Sequence, residues 1–246
     1  FVITSVLLLS SFMIPINDVF ANDGSSIVQV DSLEHEAVTE SVFNSLVQVD
    51  ADTLALAYRA EDADGFISTF DIAADGTITE VDTLEHDTNL SQYNSLVQVD
   101  ADTYALAYSG GGNDGFISTF DIAADGTITA VTTQSLGNNL EHDTVFAADN
   151  SLVQVDADTY ALAYRGDGFD GFISTFTISN TGVVTAVRTQ SLGNNLEHDT
   201  DRGSGNSMVQ VDADTYALAY TSDGNDGFIS TFDIAADGSS ITEVDT

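Results

Sequence analysis

Residues 94–132 read NSLVQVDADTYALAYSGGGNDGFISTFDIAADGTITAVT. Residues 95–100 are an apolar run between turn formers. Residues 103–108 alternate, with Tyr104, Leu106 and Tyr108 on one face and Ala105 and Ala107 on the other. Residues 115–122 alternate again, with Phe116, Phe120 and Ile122 against Ile117 and Thr119, and residues 127–132 form a fourth β-branched run. Period-two alternation of aromatic and β-branched residues marks strands. The first two runs are joined by Asp-Ala-Asp-Thr and the last two by Asp125-Gly126, where glycine supplies the positive φ of a tight hairpin. The stretch therefore encodes a four-stranded antiparallel meander, with strands A to D.

The same meander recurs along the chain. NSLVQVDADT starts at Asn44, Asn94 and Asn150 and returns as NSMVQVDADT at Asn206, at spacings of 50, 56 and 56 residues. DGFISTF begins at Asp64, Asp114, Asp170 and Asp226. The repeats span about 44–83, 94–139, 150–195 and 206–246. One such sheet cannot cover both of its faces. Stacking copies solves this, because the large-residue face of one packs on the small-residue face of the next.

In this the chain resembles β-propeller repeat proteins, in particular secreted propellers with near-identical blades. The resemblance covers roughly residues 25–246 and points to no specific WD40, kelch or Asp-box subfamily. A β-solenoid is the competing architecture, and the hairpin turns argue against it. Residues 26–35 resemble the D segment that ends at His86. The expected fold is all-β: a propeller-like array of four antiparallel blades plus one extra N-terminal strand. It reads as an incomplete ring, with further repeats expected beyond Thr246.

Composition narrows the function. The chain has 40 Asp and Glu against four cations, Arg59, Arg165, Arg188 and Arg202, for a net charge of −36. Such a surface repels nucleic-acid phosphates and anionic membranes and attracts divalent cations, so calcium is a candidate cofactor. Cysteine is absent, which excludes disulfides and thiolate metal sites. Fourteen Phe and eight Tyr provide enough apolar surface for a core. Residues 1–21 read as a signal peptide cleaved after Ala21, with its basic start missing, so the chain is expected to be a fragment of a secreted or cell-surface protein.

Two motifs carry candidate chemistry. Every histidine lies in one of them. Glu85-His86-Asp87, Glu141-His142-Asp143 and Glu197-His198-Asp199 recur where strand D leaves for the next blade, and the first copy is Glu34-His35-Glu36. Imidazole and carboxylates bind transition metals, and carboxylates alone bind calcium. Residues adjacent on an extended strand point to opposite faces, however, which favours a bridging or calcium role over one tight zinc site. The alternatives are a blade-to-blade hydrogen bond from histidine and acid–base catalysis. The second motif is the Asp- and Gly-rich link from B to C, where ordinary turn chemistry competes with weak calcium binding.

The copies differ from one another chiefly in the D-to-A and B-to-C links. In a meander, alternate connections share one rim. Arg59, Asp62, Asp64, Asn113, Asp114, Arg165, Asp167, Asp170, Arg202, Asp223 and Asp226 therefore form the candidate ligand face on a variable rim. The leading expectation is a non-catalytic secreted binding or adhesion protein whose partner is an extracellular glycan, a protein or divalent cations. The alternatives are a propeller-fold hydrolase or lyase whose catalytic residues lie in missing repeats, and a structural component of a surface layer or matrix.

Overall fold

The computed structural model describes residues 29–36 and 41–246. The expected signal peptide and residues 26–28 of the expected N-terminal strand lie outside the described residues. The described residues fall in two units, Gln29–Val30 and Asp31–Thr246.

Four antiparallel sheets, each a meander in chain order, make up the second unit. Blade 1 holds β1 (Val42–Gln48), β2 (Thr53–Arg59), β3 (Gly65–Ile72) and β4 (Ile78–Asp87). Blade 2 holds β5 (Gln92–Gln98), β6 (Thr103–Ser109), β7 (Gly115–Ile122), β8 (Ile128–Thr132) and β9 (Leu140–Asp143). Blade 3 holds β10 (Ala148–Gln154), β11 (Thr159–Arg165), β12 (Gly171–Ile178), β13 (Val184–Arg188) and β14 (Leu196–Asp199). Blade 4 holds β15 (Ser204–Gln210), β16 (Thr215–Thr221), β17 (Gly227–Ile234) and β18 (Ile241–Asp245). This is the all-β, propeller-like array of four-stranded blades.

The change of spacing from 50 to 56 residues has a structural counterpart. In blade 1 the outer strand β4 runs without a break along β3. In blade 2 a loop interrupts it, and β8 and β9 pair separately with β7. The loop is not idle. Ser135 donates from its backbone N–H to the His86 carbonyl at 3.2 Å and from its hydroxyl to the Glu85 carbonyl at 3.3 Å. Ser191 of blade 3 does the same to His142 and Glu141 of blade 2. Each interrupting loop thus caps the outer edge of the preceding blade, where unpaired strand groups would otherwise lie open.

Between blades, small residues meet large ones. Ala55, Ala57 and Ile67 of blade 1 pack with Tyr104, Leu106, Tyr108 and Phe120 of blade 2. The same set repeats between blades 2 and 3 and between blades 3 and 4. Burying one such large side chain stabilises by roughly 1.5–3 kcal/mol. Ile67, Ile117 and Ile173 are 0% exposed, whereas their counterpart Ile229, with no described blade against it, is 69% exposed. Burial here comes from the neighbour, not from the blade itself.

Polar contacts fix the stacking register. Thr69, Thr119 and Thr175 donate their hydroxyls to the hairpin carbonyls of Gly126, Gly182 and Gly238 in the following blade, at 2.6, 2.7 and 2.8 Å. Residues 31–36 form no strand, yet they make the contacts of an outer strand. Asp31 Oδ2 accepts from the Ile78 N–H at 3.0 Å, as Asp82 Oδ2 accepts from Ile128 at 2.9 Å.

Candidate functional site

The variable links do share one rim. The N–H groups of Ser91, Ala147 and Gly203, in the D-to-A links, donate to the carbonyls of Ala63, Asn113 and Phe169, in the B-to-C links. The Glu-His-Asp triplets enter this rim through a break in strand register. Gly65 faces Asp87 and Phe66 faces Glu85, so His86 is the extra residue of a β-bulge. His142 and His198 occupy the same position in blades 2 and 3. The bulge turns each histidine inward and leaves Glu85, Glu141 and Glu197 exposed.

Each ring fills the space that a glycine leaves. A Cβ on Gly65 would stand 2.7 Å from Cε1 and Nε2 of His86, and one on Gly115 would stand 2.5 Å from the same atoms of His142. The ring then meets the next blade edge-on: His86 lies 5.0 Å from Tyr108 and 5.7 Å from Phe120, and His142 repeats this with Tyr164 and Phe176. The Glu-His-Asp and Asp-Gly-Phe motifs are thus two halves of one packing unit.

This revises the reading of the histidines. Both ring nitrogens of His86, His142 and His198 are buried and have no hydrogen-bond partner, so the expected blade-to-blade hydrogen bond is not what they provide. Burial pushes His86 and His142 down to about 3 and His198 to about 4, which keeps the rings neutral. Strict alternation had placed both flanking carboxylates opposite the ring, but the bulge instead buries Asp87 and Asp143 alongside it. Among the described residues, no three His, Asp or Glu side chains gather closely enough to hold a metal ion.

The carboxylates do gather in pairs. Loss of hydration, then the charge of Asp114 and a hydrogen bond with it, and then Asp143, push the Glu141 carboxyl above its usual range. Glu85 is raised in the same way, with Asp64 and Asp87 as its neighbours. Asp143 is itself raised by burial, against the pull of its backbone donors. It accepts from the N–H groups of Val145 and Phe146 at 2.9 and 3.2 Å and from the Tyr164 hydroxyl at 3.0 Å. Asp143 therefore ties the Glu141 strand to the loop that carries Phe146.

Beside this loop, between blades 2 and 3, lies a cavity of about 140 Å³ lined by Phe146, Gly166, Asp167, Gly168 and Phe169. The Arg165 guanidinium stands 5.4 Å from the centroid of each phenyl ring and pairs with Asp149 at 3.4 Å. Phe169 has φ 75° and is 60% exposed. Its counterparts Asn113 and Asn225 have the same left-handed backbone, which asparagine tolerates, and Ala63 completes the set. A bulky aromatic there is strained by about 1–2 kcal/mol.

The other rim candidates are dispersed. Arg59 stacks on Phe43 at 5.2 Å. Arg202 donates to Asn225 and to Ser204. Asp62 adopts φ 56° in the first B-to-C turn. Asp170 and Asp226 close their turns by donating N–H to the carbonyls of Asp167 and Asp223 at 3.2 and 3.3 Å. Sequence reasoning selected Arg165, Asp167, Asp114 and Glu141 and missed Phe146 and Phe169. The signal for Phe169 was its place in a slot that the other copies fill with Asn or Ala.

No family model matches the chain, and no curated protein matches it. Solved structures do. A periplasmic gluconolactonase of Pseudomonas aeruginosa is similar at 13% identity and a TM-score of 0.44, over 82% of this chain and 71% of that one. A GH43 β-xylosidase/α-arabinofuranosidase from a compost microbial metagenome, in its calcium-free form with xylotriose, is similar at 12% identity and a TM-score of 0.46, over 85% and 78%. These values describe strand architecture, not sites. They correct one expectation all the same. A non-catalytic binding or adhesion protein was the leading reading, and both of these similar structures are named as enzymes.

Proposed function

We propose that this chain is a secreted propeller-fold hydrolase in which Glu141 and Asp114 act as a carboxyl pair. The observation that supports the reading is the elevated proton affinity of Glu141 beside Asp114 at the open rim. A carboxyl raised by the charge of a neighbouring carboxyl is suited to general-acid work. Glu141, whose carboxyl is held above its usual range, is the general acid toward the leaving oxygen of a glycosidic or lactone bond. Asp114, in hydrogen-bond contact with Glu141, is the second carboxyl of the pair. Asp143 is a positioning residue that holds the Phe146 loop against the pair. Secretion rests on residues 1–21, and calcium enters only as a screening counterion of the acidic surface.

The test is hydrolysis of nitrophenyl glycosides and of sugar lactones. Glu141→Gln is expected to lower kcat at least 100-fold with the melting temperature unchanged, and Asp114→Asn to do the same. The alkaline limb of the rate profile, where Glu141 gives up its proton, is expected to lie above the ordinary glutamate range. A wild-type protein inactive on both substrate classes, or a fully active Glu141→Gln variant, overturns the reading.

A further inference from the structure

The cavity between blades 2 and 3 has features that the carboxyl pair does not explain. The structure assigns it as a docking platform for the ring of a neutral saccharide, with Phe146 and Phe169 as its apolar wall. The assignment rests on the hydrolase reading only in naming its substrate class; the platform stands on observations of its own.

The first observation is conformational. The third residue of the B-to-C turn is left-handed in all four blades, at Ala63, Asn113, Phe169 and Asn225. Blades 2 and 4 use asparagine, the residue suited to that backbone. Blade 3 places an aromatic ring there and leaves it 60% exposed. The Arg165 guanidinium contacts the ring, yet more than half of the residue stays open to solvent. An exposed ring held at a strained position is a device for contact.

The second observation is the shape and chemistry of the wall. Phe146 and Phe169 both line the cavity, and the backbone of Gly166 and Gly168 completes its wall. Asp167, on the same lining, offers a hydrogen-bond acceptor. An apolar face with polar groups at its edge suits a pyranose or furanose ring, whose C–H face packs on aromatics while its hydroxyls point outward.

The third observation is charge. The chain carries −36, so an anionic ligand is repelled at long range. A cation is disfavoured locally, because Arg165 already stands against both phenyl rings. A neutral ligand remains.

The fourth is continuity. Asp143 accepts from the Phe146 N–H, and the Ala147 N–H donates to the Asn113 carbonyl next to Asp114. A sugar resting on Phe146 therefore lies beside the segments that carry the carboxyl pair.

The test is calorimetric titration of the whole protein with xylotriose, arabinotriose, cellotriose and galactotriose, and with a trigalacturonate as the anionic control. At least one neutral trisaccharide is expected to bind. Phe169→Asn is expected to weaken it at least tenfold while melting at the same or a higher temperature, since asparagine relieves the strained backbone. The platform is overturned if no neutral trisaccharide binds, if the trigalacturonate binds better, if Phe169→Asn binds undiminished, or if that variant melts lower, which would make Phe169 a packing residue. A trisaccharide that binds but is never cleaved overturns the hydrolase reading and leaves the platform. Cleavage undiminished by Phe169→Asn does the reverse.

Discussion

At the scale of single residues, the glycine that opens the third strand of blades 1 to 3 is fixed by the histidine across from it. A Cβ on Gly171 would overlap Cε1 and Nε2 of His198 and stand 3.0 Å from the Gly203 Cα. Gly171→Ala should therefore cost about 1–3 kcal/mol through overpacking. His198→Ala should cost a similar amount through the cavity it leaves against Tyr220 and Phe232. Because each change removes the other's reason to matter, the double variant should be less destabilised than the two losses combined. Urea unfolding of all four proteins measures this coupling, and strict additivity would show that the ring and the glycine are independent. The sequence displayed both motifs at a constant distance but not their contact, because a bulge adds a residue without leaving a mark in the alternation.

At the scale of elements, the hairpins and their order were legible and the interruption of the outer strand was not. Strict alternation in residues 103–108 and 115–122 became β6 and β7, and Asp-Gly pairs became hairpins. The extra residues of blades 2 and 3 lengthened the repeat without showing that the fourth strand would split, since their hydrogen bonds go to another blade. The carboxyl pair was half legible for a similar reason. Glu141 and Asp114 were both candidates, but they lie on different strands, and only the pairing of β7 with β9 brings Glu141 opposite Phe116 and near Asp114. The stitching between elements can be tested at Thr119, whose hydroxyl donates to the buried Gly182 carbonyl at 2.7 Å. Thr119→Val should leave that carbonyl unsatisfied and cost about 1–3 kcal/mol. Thr144→Val, at an exposed site, should cost nothing measurable; equal effects at the two sites would count against the stitch.

At the scale of the whole molecule, the buried histidines shape the response to acid. His86 and His142 are pushed to about 3 in the folded protein, against an ordinary 6.5 in the unfolded chain. Between those values the unfolded chain binds the proton and the folded one does not. Stability from each ring is therefore complete above pH 6.5 and falls as pH drops toward 3, by about 1.4 kcal/mol per pH unit. The raised carboxyls Glu85, Asp87, Glu141 and Asp143 work in the opposite direction, because the folded protein holds their protons more tightly. Comparing wild type with His142→Leu from pH 7 to 4.5 isolates one ring. The wild type should lose ground to the variant at the stated slope, and parallel stability curves would mean that His142 titrates as a solvated residue.

The stacking of blades through one repeated set of contacts also bears on the history of the gene. Each junction uses the same alanines, tyrosines, threonine stitch and histidine wedge, donated by one copy and received by the next. A duplication or loss of one whole copy would leave every remaining junction already complete. Copy number could then drift by unequal recombination without a compensating mutation anywhere in the core. Selection on individual side chains would be confined to the rim, where one turn has exchanged an accommodating asparagine for a phenylalanine.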